Sequence, residues 1–225
     1  MPWYAGRAVS DFVAKPWIGD AYGKADGRHL ILGESSHCEE TEIRTERLRT
    51  RCYNQIWEFI NHGDLKYGYH TPLFERSITQ VLGNSVLESK YRKSKDRNNI
   101  WNKYAFINYI TESAVSGGAG FPPTNEQWAS GAASFKQVLT QLAPTHILVI
   151  GLRLWEHILA DYNKERGLNV SEEEPTPISY RFKDQSAWIG RIHHPGGWGT
   201  FFWVKEARVA AQLFARPDEG DRVQP

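Results

Sequence analysis

Four short apolar runs, separated by segments with helical periodicity, limit this chain to a small set of folds. The runs cover 29–32, 104–108, 145–150 and 187–192. Runs of this length, rich in Ile, Leu and Val, are typical of strands that are buried on both faces of a sheet. Helical patterns follow or precede them at 42–61, 72–87, 124–142, 152–162 and 204–214.

Strands that alternate with helices predict a mostly parallel sheet with helices on both faces. We therefore expect an α/β protein, a three-layer α/β/α sandwich with a short, mostly parallel central sheet of about four strands. The segments 63–70, 113–123 and 163–177 are predicted loops. One domain is expected over 1–215, followed by a flexible C-terminal tail at 216–225, because the tail has no apolar periodicity.

Composition narrows the class of protein. The chain has 225 residues, 40% of them hydrophobic and 24% charged, as expected of one globular domain. Its two cysteines, Cys38 and Cys52, are too few for a disulfide framework and lack the spacing of a zinc or iron–sulfur site. No apolar run approaches the roughly 18 residues that a membrane helix needs. We expect a cytoplasmic protein that has no cofactor or metal and does not bind a membrane.

The charge distribution does not decide the partner. The net charge of +1 neither favours nor excludes a polyanion. Two stretches, 44–51 and 90–103, are basic, and taken alone each is a solvated face or loop. Nine tryptophans are more than packing commonly requires, and a surplus aromatic near a basic stretch could stack on a base.

Ligands of open parallel sheets bind beyond the carboxyl ends of the strands, so the candidate site lies there. The first of these ends reads Gly33, Glu34, Ser35, Ser36, His37. Its glycine permits a tight turn, and two titratable groups follow in the cleft. Glu34 is either a reactive carboxylate or one that caps a helix or forms a salt bridge, and His37 could equally be a surface histidine.

The second strand carries Asn108, whose amide cannot be buried unpaired without a penalty of about 1–3 kcal/mol. Either this amide pins a neighbouring loop or it reads the edge of a ligand. An amide suits a nucleobase, because its donor and acceptor lie side by side as those of the base do. The third strand is followed by Gly151 and, two residues later, Arg153.

A loop rich in histidine and glycine follows the fourth strand. It reads His193, His194, Pro195, Gly196, Gly197, Trp198. Proline stiffens the turn, and the glycines let the backbone approach a ligand closely. Trp198 either packs beneath its own loop or acts as a wedge for the gap that a flipped base leaves.

Taken in this order, these motifs resemble the uracil-DNA glycosylase superfamily, whose fold is a three-layer α/β/α sandwich. The turn at 33–37 looks like its first motif, in the variant that begins with Gly-Glu, and 106–108 looks like the strand with the base-reading asparagine. The strand at 147–151 is similar to the one before the second motif, and 194–198 is similar to the His-Pro loop. The resemblance covers roughly 29–214.

The resemblance implies a role for each motif. His194 would stabilise the charge that grows on the departing base, and Asn108 would read its pairing edge. Glu34, with the backbone of 35–36, would place the water or stabilise the sugar cation. The base pocket would consist of 33–37 and Asn108. DNA would be contacted by Arg153 and by the loop at 193 and 195–198, with Trp198 inserted into the duplex.

The chain departs from the superfamily's pattern at three points, which concern the activation of water, the iron–sulfur cluster and the choice of base. Ser35 stands where the best-known members have an aspartate that activates water. Members of the Gly-Glu type often carry an iron–sulfur cluster on four cysteines, and two cysteines exclude that version here. His37, preceded by Ser36, replaces a tyrosine that blocks the 5-position of the pyrimidine.

The resemblance therefore implies a DNA glycosylase that flips a modified or damaged base and leaves an abasic site. A polar pocket suits a hydroxymethylated or glucosylated cytosine of phage DNA, whose excision would serve antiviral defence; otherwise the base is uracil, removed in repair. Two alternatives stay open. One is a DNA-binding module whose chemistry has lapsed, and the other is an α/β hydrolase that uses Glu34, His37 and His194 on a small molecule.

Overall fold

The structure is a computed structural model. It describes residues 16–24, 27–35, 51–62, 73–83, 94–111, 122–167, 177–195 and 201–218. Six strands lie in this part of the chain: β1 Trp17–Ile18, β2 His29–Ser35, β3 Tyr104–Ile110, β4 His146–Ile150, β5 Ile178–Phe182 and β6 Gln185–Ile192. The same residues form six helices: α1 Arg51–His62, α2 Leu73–Leu82, α3 Ser94–Trp101, α4 Asn125–Leu142, α5 Leu152–Arg166 and α6 Phe201–Phe214.

The strands form one sheet in the order β1-β3-β2-β4-β6-β5. β3, β2, β4 and β6 are mutually parallel, with Leu32 opposite Ile107 and Ile150 opposite Ile192. The edge strands β1 and β5 run antiparallel to their neighbours. The predicted parallel strands are thus confirmed, but the sheet has six strands rather than about four.

The two additional strands carry a weak sequence signal. β1 has only two residues. In β5, Tyr180 is the one buried residue, so this strand lacks the continuous apolar run of the inner strands. An edge strand that is half solvated cannot be told from a loop by hydrophobicity alone.

Helices cover both faces of the sheet, as predicted. Phe106 and Tyr109 are three residues apart on β3 and so point to opposite faces. The ring of Phe106 lies 6.1 Å from that of Trp101 in α3. The ring of Tyr109 lies 5.5 Å from that of Phe135 in α4. α1, α2, α3 and α6 form one layer, and α4 and α5 form the other.

The helix predictions hold with shifted ends. α4 begins as its sequence predicts, because Thr124 and Gln127 form a reciprocal capping box. α5 continues to Arg166 and ends at Gly167, which is left-handed with φ 63°, so the loop predicted from 163 starts too early. α6 begins three residues before 204. α3 was not predicted, because its residues are mostly polar and Arg97 and Trp101 alone are buried among the described side chains of that helix.

The first residues of the predicted tail contact residues of the sheet. The Trp188 indole donates to the carbonyl of Pro217 over 2.8 Å. The Arg216 guanidinium lies 4.8 Å from the centre of the Trp188 ring. The backbone carbonyl of Arg216 lies 2.9 Å from His146 Nε2. The residues 219–225 lie outside the described part of the chain.

Among the described helices, none is both long and apolar enough to cross a membrane.

Candidate functional site at the carboxyl edge of the sheet

The topology marks one place along the carboxyl edge of the sheet. From β2 the chain crosses to β3 on one side, whereas from β4 it crosses to β6 on the other side. The two crossovers diverge between β2 and β4, which are neighbours. A crevice opens at such a point in α/β sheets, and ligands bind in it.

Glu34 and Arg153 bridge this switch point. Arg153 lies in the first turn of α5 and donates two hydrogen bonds to the carboxylate, one of them from Nε to Oε2 over 2.8 Å. The Glu34 side chain is 13% exposed and that of Arg153 is 45% exposed. The pKa of Arg153 is raised because Glu34 accepts its hydrogen bonds. The carboxylate is therefore neutralised by a guanidinium that is itself open to solvent.

Asn108 owes its place to Gly33, which is opposite it in the parallel register. A Cβ on Gly33 would lie 2.3 Å from Asn108 Oδ1, so the amide occupies the space that a side chain would need. Asn108 is 5% exposed. β2 runs to Ser35, so Gly33 lies within a strand and not in the predicted turn. β3 runs to Ile110, so Asn108 lies on a strand as predicted but is not its last residue.

Glu34 and Asn108 reach the same edge of the sheet but not the same face. Asn108 shares its face with Phe106 and the α3 layer, because the two are two residues apart on one strand. Glu34 follows Gly33 and points to the other face, where it meets Arg153 of α5. The sequence predicted both residues at this edge; the structure does not bring their side chains together.

His193 is held by a carboxylate that the sequence analysis missed. His193 Nδ1 lies 2.7 Å from Glu206 Oε1, and the His193 backbone N–H donates to Oε2 over 3.2 Å. The side chain of Glu206 is 4% exposed and that of His193 is 44% exposed. A signal was present: Glu206 lies on the buried stripe of α6 with Ala210 and Leu213, where an apolar residue is expected.

His194 lies on the loop beyond β6, next to the start of α5. Its side chain is exposed, and Pro195 after it is buried. Gly151 has φ 107°, and a Cβ there would come 3.8 Å from that of His194. The Gly151 N–H donates to the carbonyl of Ile192 over 2.9 Å. This contact brings His194 close to the helix turn that carries Arg153.

The remaining predicted site residues divide into two groups. Ser35 is the half-buried last residue of β2, opposite Ile110. The residues Ser36, His37, Gly196, Gly197 and Trp198 lie outside the described part of the chain.

The predicted basic stretch at 90–103 contains a cation with a structural role. Arg97 is 4% exposed, and its Nη2 donates to the carbonyl of Ile60 over 3.0 Å. Lys95 on the same helix is exposed. The stretch at 44–51 lies outside the described residues except for Arg51, the first residue of α1. Across the described ranges, no three His, Cys, Asp or Glu side chains gather as metal ligands would.

Comparison with models of protein families finds none that matches this chain, and comparison with curated protein sequences finds no similar one either. The fold and the residues at the carboxyl edge of the sheet define the class of this protein. It is an α/β sandwich with a polar site at the switch point of its sheet.

Proposed function

We propose that this chain is a cytoplasmic DNA N-glycosylase, which flips a modified or damaged base into the carboxyl edge of its sheet and hydrolyses the N-glycosidic bond. The observation that carries the proposal is the Asn108 amide, buried at the ligand-binding edge in space that Gly33 leaves open. An amide held in one orientation can read the donor and acceptor pattern of a pairing edge.

The proposal gives the neighbouring groups distinct tasks. His194, exposed beyond β6, donates to the carbonyl of the flipped base and stabilises the charge that develops there. Arg153, whose side chain is nearly half exposed, binds a phosphate of the DNA backbone. Glu34 orients Arg153 through their paired hydrogen bonds, which favours a positioning role for Glu34 over activation of water.

The proposed substrate is a cytosine with a polar group at the 5-position, such as hydroxymethylcytosine or its glucosylated form. This choice rests on the sequence, in which His37, preceded by Ser36, stands where uracil enzymes of the resembled superfamily have a tyrosine. Excision of such bases from phage DNA would act in antiviral defence. Uracil in repair is the second substrate to test.

Base release tests the proposal directly. Duplexes that each carry uracil, hypoxanthine, hydroxymethylcytosine or glucosylated hydroxymethylcytosine are incubated with the protein and then cleaved by alkali at abasic sites. We expect strand breaks at the 5-modified cytosine. Replacement of Asn108 by Ala should abolish the breaks, whereas Asn61→Ala, which removes an exposed amide bonded to the Trp57 carbonyl on α1, should not.

One observation favours a binding module without chemistry as the second candidate. The two carboxylates described at this edge, Glu34 and Glu206, are both held by other residues, in Glu34's case by a bidentate guanidinium. Tight DNA binding without release of any base from the panel would support this candidate. Hydrolysis of a small molecule with no response to DNA would support the small-molecule hydrolase instead.

A further inference from the structure

His193 and Glu206 form a histidine–carboxylate pair at the exit of β6. Both carboxylate oxygens are used by His193, one by its backbone N–H and one by Nδ1. A buried carboxylate is costly unless hydrogen bonds compensate for its lost hydration, so this pairing holds the ring in one orientation. A proton on Nδ1 donates to Glu206, which leaves the lone pair of the neutral imidazole on Nε2.

We propose that His193 is the general base of this site and that Glu206 is its positioning residue. The inference rests on the proposed glycosylase function and names the group that takes the proton of the attacking water. A base held by a third group is the arrangement that hydrolytic enzymes use to activate a weak nucleophile. Glu206 also stabilises the imidazolium that forms when the proton arrives.

The surroundings of Glu34 argue against that carboxylate as the base. Its two oxygens accept from Nε and Nη2 of Arg153, so both are already engaged in a bidentate ion pair. Glu34 also points to the face of α5, opposite to that of Asn108. His193, by contrast, turns toward α6, which belongs to the same helix layer as the face that carries Asn108.

Asn108 and His193 lie on or just after strands that are separated by a distance a nucleotide can span. β3 and β6 are separated by β2 and β4, which makes three strand spacings, or roughly 14 Å at about 4.8 Å each. A base whose pairing edge meets Asn108 would direct its glycosidic bond toward β4 and β6. The sugar and the water would then lie on the side of His193.

The chemical step balances with these groups. The C1′–N bond breaks, and its electron pair leaves with the base, whose charge His194 stabilises. The water oxygen forms a bond to C1′, and the water proton passes to Nε2 of His193. The imidazolium then returns this proton to the departed base or to solvent, which restores the pair.

Single-turnover base release by the full chain tests the inference, with the affinity for DNA measured separately by titration. His193→Gln should lower the rate constant by about 10²–10⁴-fold, the usual contribution of a general base, with little change in affinity. Glu206→Gln should also lower the rate constant, by up to about 10⁴-fold, because it removes the carboxylate that orients the histidine. Glu206→Asp should lower the rate constant less than Glu206→Gln does. Added imidazole should restore part of the activity of His193→Ala.

A matched control and a readout independent of activity complete the test. His157→Gln makes the same change on α5, where the ring of His157 stacks on Trp128 at 3.6 Å, and should leave the rate unchanged. Nitrogen NMR of labelled histidine should find the His193 proton on Nδ1 in the wild-type protein and should find this preference lost in Glu206→Gln.

The two proposals fail in different ways. Wild-type protein that releases no base from the panel would overturn the glycosylase function and this inference with it. Wild-type activity that His193→Gln retains within about twofold would overturn the inference alone. A neutral His193 ring that carries its proton on Nε2 in the wild-type protein would also overturn the inference. This measurement does not depend on whether any variant folds.

Discussion

At the scale of single residues, the site depends on Gly33 because it has no side chain. The Asn108 oxygen lies 2.3 Å from where a Cβ would be, and Phe106 lies 3.4 Å from the same point. Both neighbours are buried, so the space cannot be gained by turning a side chain into solvent. The orientation of the proposed base-reading amide is thus set by a residue on the adjacent strand.

Replacement of Gly33 by Ala tests this dependence. We expect the new methyl group to displace the Asn108 amide, to lower the free energy of unfolding by about 1–3 kcal/mol through overpacking, and to abolish base release. Gly167→Ala is the control, because nothing lies within 4 Å there, although φ is 63°. It should cost about 1 kcal/mol of stability and leave base release intact. Equal activity of Gly33→Ala and wild type would show that the amide does not read the base.

The strand-end pattern of the sequence indicates Glu34, Asn108, Arg153 and both histidines as site residues, but it does not indicate which of them pair. Arg153 was expected to contact DNA, and the structure adds its ion pair with Glu34. Glu206 was missed, although a carboxylate on the apolar stripe of a helix is an identifiable signal. Pairing depends on which helix lies against which strand end, and no local pattern contains that information.

At the scale of elements, two cations of the basic stretch at 90–103 have different roles on α3. Its sequence, within 90–103, was interpreted as a solvated face or loop, and the structure gives a helix from Ser94 to Trp101. On this helix Arg97 turns inward to the carbonyl of Ile60 and lies 5.4 Å from the Phe59 ring, whereas Lys95 is exposed. The first cation ties α3 to α1, and the second faces solvent.

Paired substitutions on α3 separate these roles. Arg97→Gln should lower the free energy of unfolding in urea by about 1.5–3 kcal/mol, as expected for the loss of hydrogen bonds from a charged group. Lys95→Gln should change it by no more than about 0.5 kcal/mol. The dependence of DNA binding on salt should be the same for Arg97→Gln as for wild type, because Arg97 is only 4% exposed and so cannot reach a DNA phosphate. A shallower salt slope for Arg97→Gln would contradict this assignment.

At the scale of the whole molecule, the amino edge of the sheet is closed by the segment after α6. His146 is fully buried there; its Nδ1 lies 2.9 Å from the Thr145 hydroxyl and 3.8 Å from the Asp218 carboxylate. The ring of His29 lies 5.0 Å away. Burial lowers the pKa of His146, and the hydrogen bond to the Arg216 carbonyl and the charge of Asp218 oppose this shift without cancelling it.

The lowered pKa predicts that the protein loses stability in mild acid. Below the unfolded pKa of about 6.5, the unfolded chain binds a proton at this histidine that the native state still excludes. The free energy of unfolding should therefore fall as pH drops from about 6.5 toward the native pKa, and this loss should level off below it. Urea unfolding at several pH values measures the effect. His146→Gln should reduce the dependence of the free energy of unfolding on pH, and an unchanged dependence in this variant would refute the prediction.

Local patterns along the chain are enough to predict the class of the fold, the four parallel strands and the residues near their carboxyl ends, because burial on both faces of a sheet selects apolar runs. Four features appear only once the chain is folded: the two edge strands, the space that Gly33 leaves for Asn108, and the pairings of Glu34 with Arg153 and of His193 with Glu206. Such pairings join residues far apart in the chain, and the packing of helices on the sheet brings them within hydrogen-bonding distance.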